Sequence, residues 1–237
     1  MAYDIQVLVQ SLVYFVIFLC GFVVAVPLGV TVVEFDNHCI LYTKWHWKNA
    51  TFAVYELNNP AACNFPVFSA VFTCILYSLG MAIYHAYAAF KSKDPNVGFQ
   101  MWSMPFLLVN TLIAMLMFVS SCVISVGLKE MCDGLLEGQK LGSKLKSCSD
   151  GVYMDWNKVS NTDYTYSHFY SFPKVSEAAG WITFLLWGVQ VGLCIVRAVR
   201  NRRLRSQGMD PQPTSGTAGA SKTPDDLDNF AAQPPTA

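Results

Sequence analysis

Four long apolar runs, the last of them ending in a dense arginine cluster, leave this chain few ways to fold. A run that crosses about 30 Å of hydrocarbon has to be helical, because only a helix satisfies its own backbone N–H and C=O groups there. The runs cover about residues 11–33, 65–90, 101–128 and 178–196. His85, Asn110 and Gln190 are the strongly polar side chains inside them, and no Asp or Glu lies deep within one. Charged residues make up 14% of the chain, against about 25% in soluble domains, which fits burial in lipid. The expected fold is an all-α membrane protein: a four-helix transmembrane bundle over 1–200 with two disulfide-bonded luminal or extracellular loops, 34–64 and 129–177. Residues 201–237, rich in Pro, Thr, Ser, Gly and Ala, are expected to form a disordered cytosolic tail.

The arginines set an expectation for orientation. Arg197, Arg200, Arg202, Arg203 and Arg205 are all the arginines of the chain, and they directly follow the fourth run. Guanidinium groups enter hydrocarbon at high cost and favour the anionic cytoplasmic leaflet, so the cluster reads as a stop-transfer flank. Counting alone does not decide, since eight Lys and Arg fall on each side. Proximity to the span ends does: the cluster and the Lys91/Lys93 pair crowd the helix ends, while the remaining lysines are spread through acidic loops. Both termini are then expected in the cytosol, in the secretory pathway or plasma membrane. Asp4 and the lack of any basic residue before the first run argue against a cleaved signal peptide.

The cysteines agree with this topology. Cys20, Cys74, Cys122 and Cys194 fall in the spans; Cys39 and Cys63 fall in the first long loop, and Cys132 and Cys148 in the second. Two per loop on the oxidising side reads as two disulfides. Four cysteines allow three pairings, and closure within each loop costs least entropy, which favours Cys39–Cys63 and Cys132–Cys148. Asn49-Ala50-Thr51 is a glycosylation sequon in the first loop.

Catalytic signatures are missing. There is no HExxH, no G-x-S-x-G, no Walker loop and no dinucleotide fingerprint. His38, Cys39 and His46 cluster beside Trp45 and Trp47; a metal site there competes with a disulfide cysteine, surface histidines and tryptophans resting at the headgroup boundary, and the second reading is preferred. No cofactor, metal or catalytic residue is implied. The aromatics of the second loop, Tyr153, Trp156, Tyr164, Tyr166, Phe169, Tyr170 and Phe172, fit either a partner surface or the small core of a cap. Asn110 and Gln190 suit interhelical hydrogen bonds, and His85 lies near the cytosolic end of its span. Gly188 and Gly192, four apart, are expected to face another helix at close range, preferentially within the same bundle, with Gln190 on the opposite face.

Several segments resemble the transmembrane protein 179 family of four-pass proteins. They are Phe35 to Leu41 with Cys39 central, Pro60-Ala61-Ala62-Cys63 before Phe65, Ile124-Ser125-Val126-Gly127 followed by Cys132-Asp133 and Cys148, and Phe169-Tyr170 ahead of Trp181 and Trp187. The resemblance covers roughly residues 10–195. It implies the four-pass topology and the four-cysteine framework, and carries no activity. Claudin-like and tetraspanin-like families fit poorly: the second loop is the larger, Trp45 and Trp47 lie between the first two cysteines, and no Cys-Cys-Gly occurs.

The functional expectation is a non-enzymatic accessory or trafficking protein that binds another integral membrane protein, with membrane lipid as its surroundings. The alternative is an oligomeric pore or transporter with Asn110 and Gln190 lining a path, in which case the chain forms a homo-oligomer. Zero net charge offers nucleic acid no attractive field.

Overall fold

The computed structural model describes residues 5–49, 52–91, 103–153 and 167–206. Among the described residues, four helices are long and apolar enough to cross a membrane. They are α1 (Ile5–Glu34), α2 (Ala61–Lys91), α3 (Ser103–Leu136) and α4 (Ser171–Ser206). The chain is an integral membrane protein with a mostly helical body. Each helix outruns its apolar stretch, because amphipathic turns continue the core-facing stripe beyond the hydrocarbon. On α3, Leu128, Met131 and Leu135 recur three and four apart and are all buried. On α4, residues 201–206 are still helical, so the tail expected from 201 begins six residues too early. The remaining tail positions lie outside the described residues.

The helices pass up and down, so both chain ends share one end of the bundle. There Gln6 of α1 meets Leu193 and Arg200 of α4. The first and last helices are neighbours, and α3 packs on α4 while α2 packs on α1. Gly21 allows α1 and α2 to approach closely: a Cβ there would lie 2.8 Å from the Cys74 Cβ and 2.9 Å from Ile75. Facing it, α2 widens into a π-type section over Ala70–Tyr77. Small side chains, Ala25, Ala70 and Ala179, fill the neighbouring layer beside Val24.

The first loop is not helical. It forms an antiparallel hairpin of β1 (Cys39–Asn49) and β2 (Phe52–Asn58), which adds a small sheet to the all-α expectation. Trp45 pairs with Tyr55 and Trp47 with Ala53; the intervening Lys44, His46 and Lys48 are exposed. That alternation is the two-residue period of a strand with one buried face. The buried face lies on α3 where α3 projects past its apolar run.

Disulfides close both loops. Cys39 is joined to Cys63 and Cys132 to Cys148. Around them Leu28, Phe35, Ile40, Leu41, Ile124 and Phe169 form the core of a cap. Phe169 is thus a core residue, and Tyr170 packs against the same cluster. Trp156, Tyr164 and Tyr166 lie outside the described residues, as do Ala50 and Thr51 of the sequon.

Candidate functional site

Two constellations stand out, one at each end of the bundle. At the cap end, α3 carries Gly127, Gly134 and, in the 3-10 turn that follows, Gly138. Positions seven apart on a helix return to one face. Three aromatic rings of β1 occupy the space their missing side chains leave. A Cβ at Gly127 would lie 2.7 Å from the Tyr42 ring, and one at Gly134 2.7 Å from the Trp45 indole. A Cβ at Gly138 would strike the Trp47 ring.

Each ring also ends in a hydrogen bond to α3. The Trp45 indole N–H donates to the Met131 carbonyl at 3.1 Å, and that of Trp47 to the Gly134 carbonyl at 3.1 Å. The Tyr42 hydroxyl donates to the Val123 carbonyl at 3.1 Å. Burial raises the Tyr42 pKa, with Glu130 adding to the effect, so the phenol keeps the proton it donates. Tyr42 itself has φ 62°, a left-handed backbone that a bulky residue adopts at a cost and that the docked ring offsets. The tryptophans expected at a headgroup boundary are therefore anchors of the hairpin: Trp45 is buried against α3. Cys39, in its disulfide, has no thiolate to offer a metal.

At the terminal end a polar seam runs between the helices. On α4, Gln190, Cys194, Arg197 and Asn201 follow one another at steps of four, three and four, and all are buried. On α1, Gln6, Gln10 and Tyr14 repeat every four residues. The Arg197 guanidinium donates to the Gln10 side-chain oxygen at 3.1 Å. The Gln190 amide donates to the Gln10 carbonyl at 3.2 Å. Asn110 of α3 donates to the Tyr14 hydroxyl at 2.7 Å and to the Cys194 sulfur at 3.3 Å, and accepts from the Tyr77 hydroxyl of α2 at 3.2 Å. One asparagine therefore ties all four helices together. Trp187 closes the seam, its ring centroid 5.9 Å from Tyr14 and 6.0 Å from Tyr77. His85 lies against Tyr14 at 5.3 Å and donates Nδ1–H to the Met81 carbonyl at 2.8 Å.

Two expectations change here. Arg197 is 3% exposed and turned into the bundle, so it is a seam residue and not part of an exposed stop-transfer flank. Arg200 leans the same way, to the Gln6 side-chain oxygen at 3.4 Å, while Arg202 and Arg203 remain exposed. The Arg205 side chain lies outside the described residues. Gly188 and Gly192 face outward: an added Cβ at either meets nothing within 4 Å. They make no close contact in their own bundle, because the inward face of α4 belongs to Trp187, Gln190 and Cys194. Asn110 and Gln190 are fully buried within one chain, in keeping with interhelical hydrogen bonding.

Sequence reasoning weighed Gln190 and Asn110 but overlooked Gln6, Gln10, Tyr14 and the inward turn of Arg197. The four-residue spacing of polar groups on both α1 and α4 is the signal that finds them.

The seam has polar atoms but no arrangement of nucleophile, base and orienting group. Among the described residues no three His, Cys, Asp or Glu side chains gather into a metal-holding group. The arrangement can bind helices to one another and hold them in register.

Comparison with known proteins agrees with the four-pass topology. A family model described as transmembrane protein 179/179B claudin domain matches residues 6–218. The chain is similar to transmembrane protein 179B of Danio rerio, 25% identical over 219 residues, covering 92% of this chain and 95% of that one. It is also similar to transmembrane protein 179B of Mus musculus, 25% identical over 181 residues, covering 76% and 77% respectively. No solved structure matches significantly. The family description overturns the exclusion of a claudin-like domain. That exclusion rests on the place of Trp45 and Trp47 between the first two cysteines and on loop lengths taken from the apolar runs; α3 and α4 extend well into the second loop, leaving the first to build the sheet of the cap.

Proposed function

From the premise that the chain belongs to the transmembrane protein 179/179B claudin-domain family, we propose that it is a non-enzymatic accessory protein that binds another integral membrane protein through the outer face of α4. Both termini lie in the cytosol in this reading and the disulfide-closed cap is luminal or extracellular. The observation that carries it is the outward pair Gly188 and Gly192, exposed to the lipid side with nothing within 4 Å of an added Cβ. Leu185, Val189, Ile195 and Val196 flank the pair and are exposed as well. Small residues four apart bounded by aliphatic ridges let a second helix approach closely.

The test is co-purification of the full chain from native membrane in mild detergent. Gly188→Leu/Gly192→Leu should keep wild-type thermal stability, because neither site touches the bundle, and should lose the stoichiometric membrane partner. Retention of that partner by the double variant, or a purified chain that carries none, overturns the reading.

A further inference from the structure

A groove runs along the other side of the molecule, between α1 and α2, near the end that carries both termini. Its volume is about 490 Å³. That is within the roughly 300–1,000 Å³ range of small-ligand sites. Leu8, Ser11 and Phe15 line it from α1, and Leu79, Ala86 and Phe90 from α2. Leu8, Phe15 and Phe90 are 40%, 46% and 65% exposed, so the groove opens on the bundle's outer face. The single hydroxyl on its floor is already spent: Ser11 donates to the Ala82 carbonyl at 2.8 Å. The lining therefore asks for hydrocarbon and offers no polar group to a ligand.

Its length and its mouth say which hydrocarbon. Leu79 to Phe90 spans about 16 Å of helix at 1.5 Å per residue. One leaflet's share of a 30 Å hydrocarbon core is about 15 Å, so the groove runs the depth of one leaflet. At its outer end, the residue after Phe90 is Lys91, exposed and the last of α2. Its ammonium donates to the Tyr87 hydroxyl and lies 4.8 Å from the centre of that ring. A cation held on an aromatic ring at the edge of an apolar groove is the complement of an anionic headgroup above an acyl chain.

We propose that this groove holds one acyl chain of an anionic phospholipid, with Lys91 meeting its headgroup. The site is on the α1–α2 face, away from the glycine pair of α4, and does not rest on the partner reading above. Lys91 supplies the choice of headgroup, and the Leu8-to-Phe90 groove supplies retention.

Native mass spectrometry of the full chain, purified in mild detergent and then offered phosphatidylglycerol and phosphatidylcholine in equal amount, tests this. The wild type should keep one phospholipid through delipidation. It should prefer phosphatidylglycerol about fivefold, the factor one lysine contributes near an anionic surface. Ala86→Phe fills the groove and should lose the retained lipid. Leu8→Trp, at the exposed rim, narrows the same groove from α1 and should weaken retention even if Ala86→Phe does not fold. Lys91→Gln should keep the lipid and lose the preference. Ile182→Phe, on the exposed outer side of α4, should change neither. A folded groove-filled variant that retains the lipid, a wild type that retains none, or an unchanged preference in Lys91→Gln overturns the proposal.

Discussion

At the cap end, aromatic rings lie on bare helix backbone and two disulfides close the loops. At the terminal end, amides, hydroxyls and two guanidinium groups bond one another across four helices with no covalent link. The two ends answer to different solvents. Around the cap water competes for every hydrogen bond, so the hairpin depends on apolar burial and on cross-links that restrict the unfolded chain. Within the span region water is scarce, and polar groups find partners inside the protein. Interhelical bonds of this kind are individually modest, about 0.6 kcal/mol on average and up to about 1.7, because the separated helices also find partners. The cap should therefore carry more of the measurable stability per interaction, while the seam fixes which helix meets which and in what register.

The largest effect is expected from the cap's cross-links. Cys39→Ser/Cys63→Ser opens a closure of 24 residues. The loss should be about 3 kcal/mol in chemical denaturation of the detergent-solubilised chain. A loss under about 1 kcal/mol would show that the docked tryptophans hold the hairpin unaided. Next come the glycines under the rings. Gly134→Leu drives a side chain into Trp45 and should cost about 1–3 kcal/mol by overpacking, read in the same assay. Gly188→Leu should leave stability unchanged, since nothing lies within 4 Å of its Cβ position. Equal effects at both sites would erase the distinction between the ring-bearing glycines and the outward pair.

A smaller change is expected in the seam. Asn110→Leu removes the group that reaches Tyr14, Tyr77 and Cys194. It should cost about 1 kcal/mol, with Tyr14→Phe/Asn110→Leu little worse than Asn110→Leu alone. A cost near 3 kcal/mol would place the seam on a par with the cap. The smallest effect concerns Asp150, two residues after Cys148. Its carboxylate accepts the backbone N–H groups of Lys146 and Ser147, both at 2.9 Å, and these bonds hold its pKa below the ordinary carboxylate range. A depressed folded pKa means that this contribution is complete above the unfolded value and disappears as pH falls through the folded one. Hydrogen exchange at the Lys146 and Ser147 amides should accelerate over that acidic window, beyond the normal pH dependence, and Asp150→Asn should remove the transition.

The spans were legible because about twenty consecutive apolar residues admit one solution in lipid. The helix ends were not, since beyond the hydrocarbon the helices continue on an ordinary amphipathic stripe such as Leu128, Met131 and Leu135. The glycine spacing at 188 and 192 does not by itself say whether that helix face turns inward. The same limit hid Gly127 and Gly134, whose partners lie in a strand more than eighty residues earlier. Arg197 was read from its neighbours in sequence, the other arginines. Its surroundings in space follow from its phase with Gln190 and Cys194, which puts it on the buried side of α4.

The Arg197–Gln10 bond also bears on how the chain is made. Its two residues are 187 positions apart, and α1 is synthesised well before α4. At about 5–20 residues per second, the first helix waits roughly ten to forty seconds for this partner. Through that interval the amides of Gln6 and Gln10 lack the groups that later satisfy them. Ribosome pausing or truncation before α4 would leave a recognisable intermediate: three helices with an amide-bearing face still open. Its lifetime, and the length of time any membrane chaperone remains bound to it, should end when Arg197 emerges and takes its place beside α1.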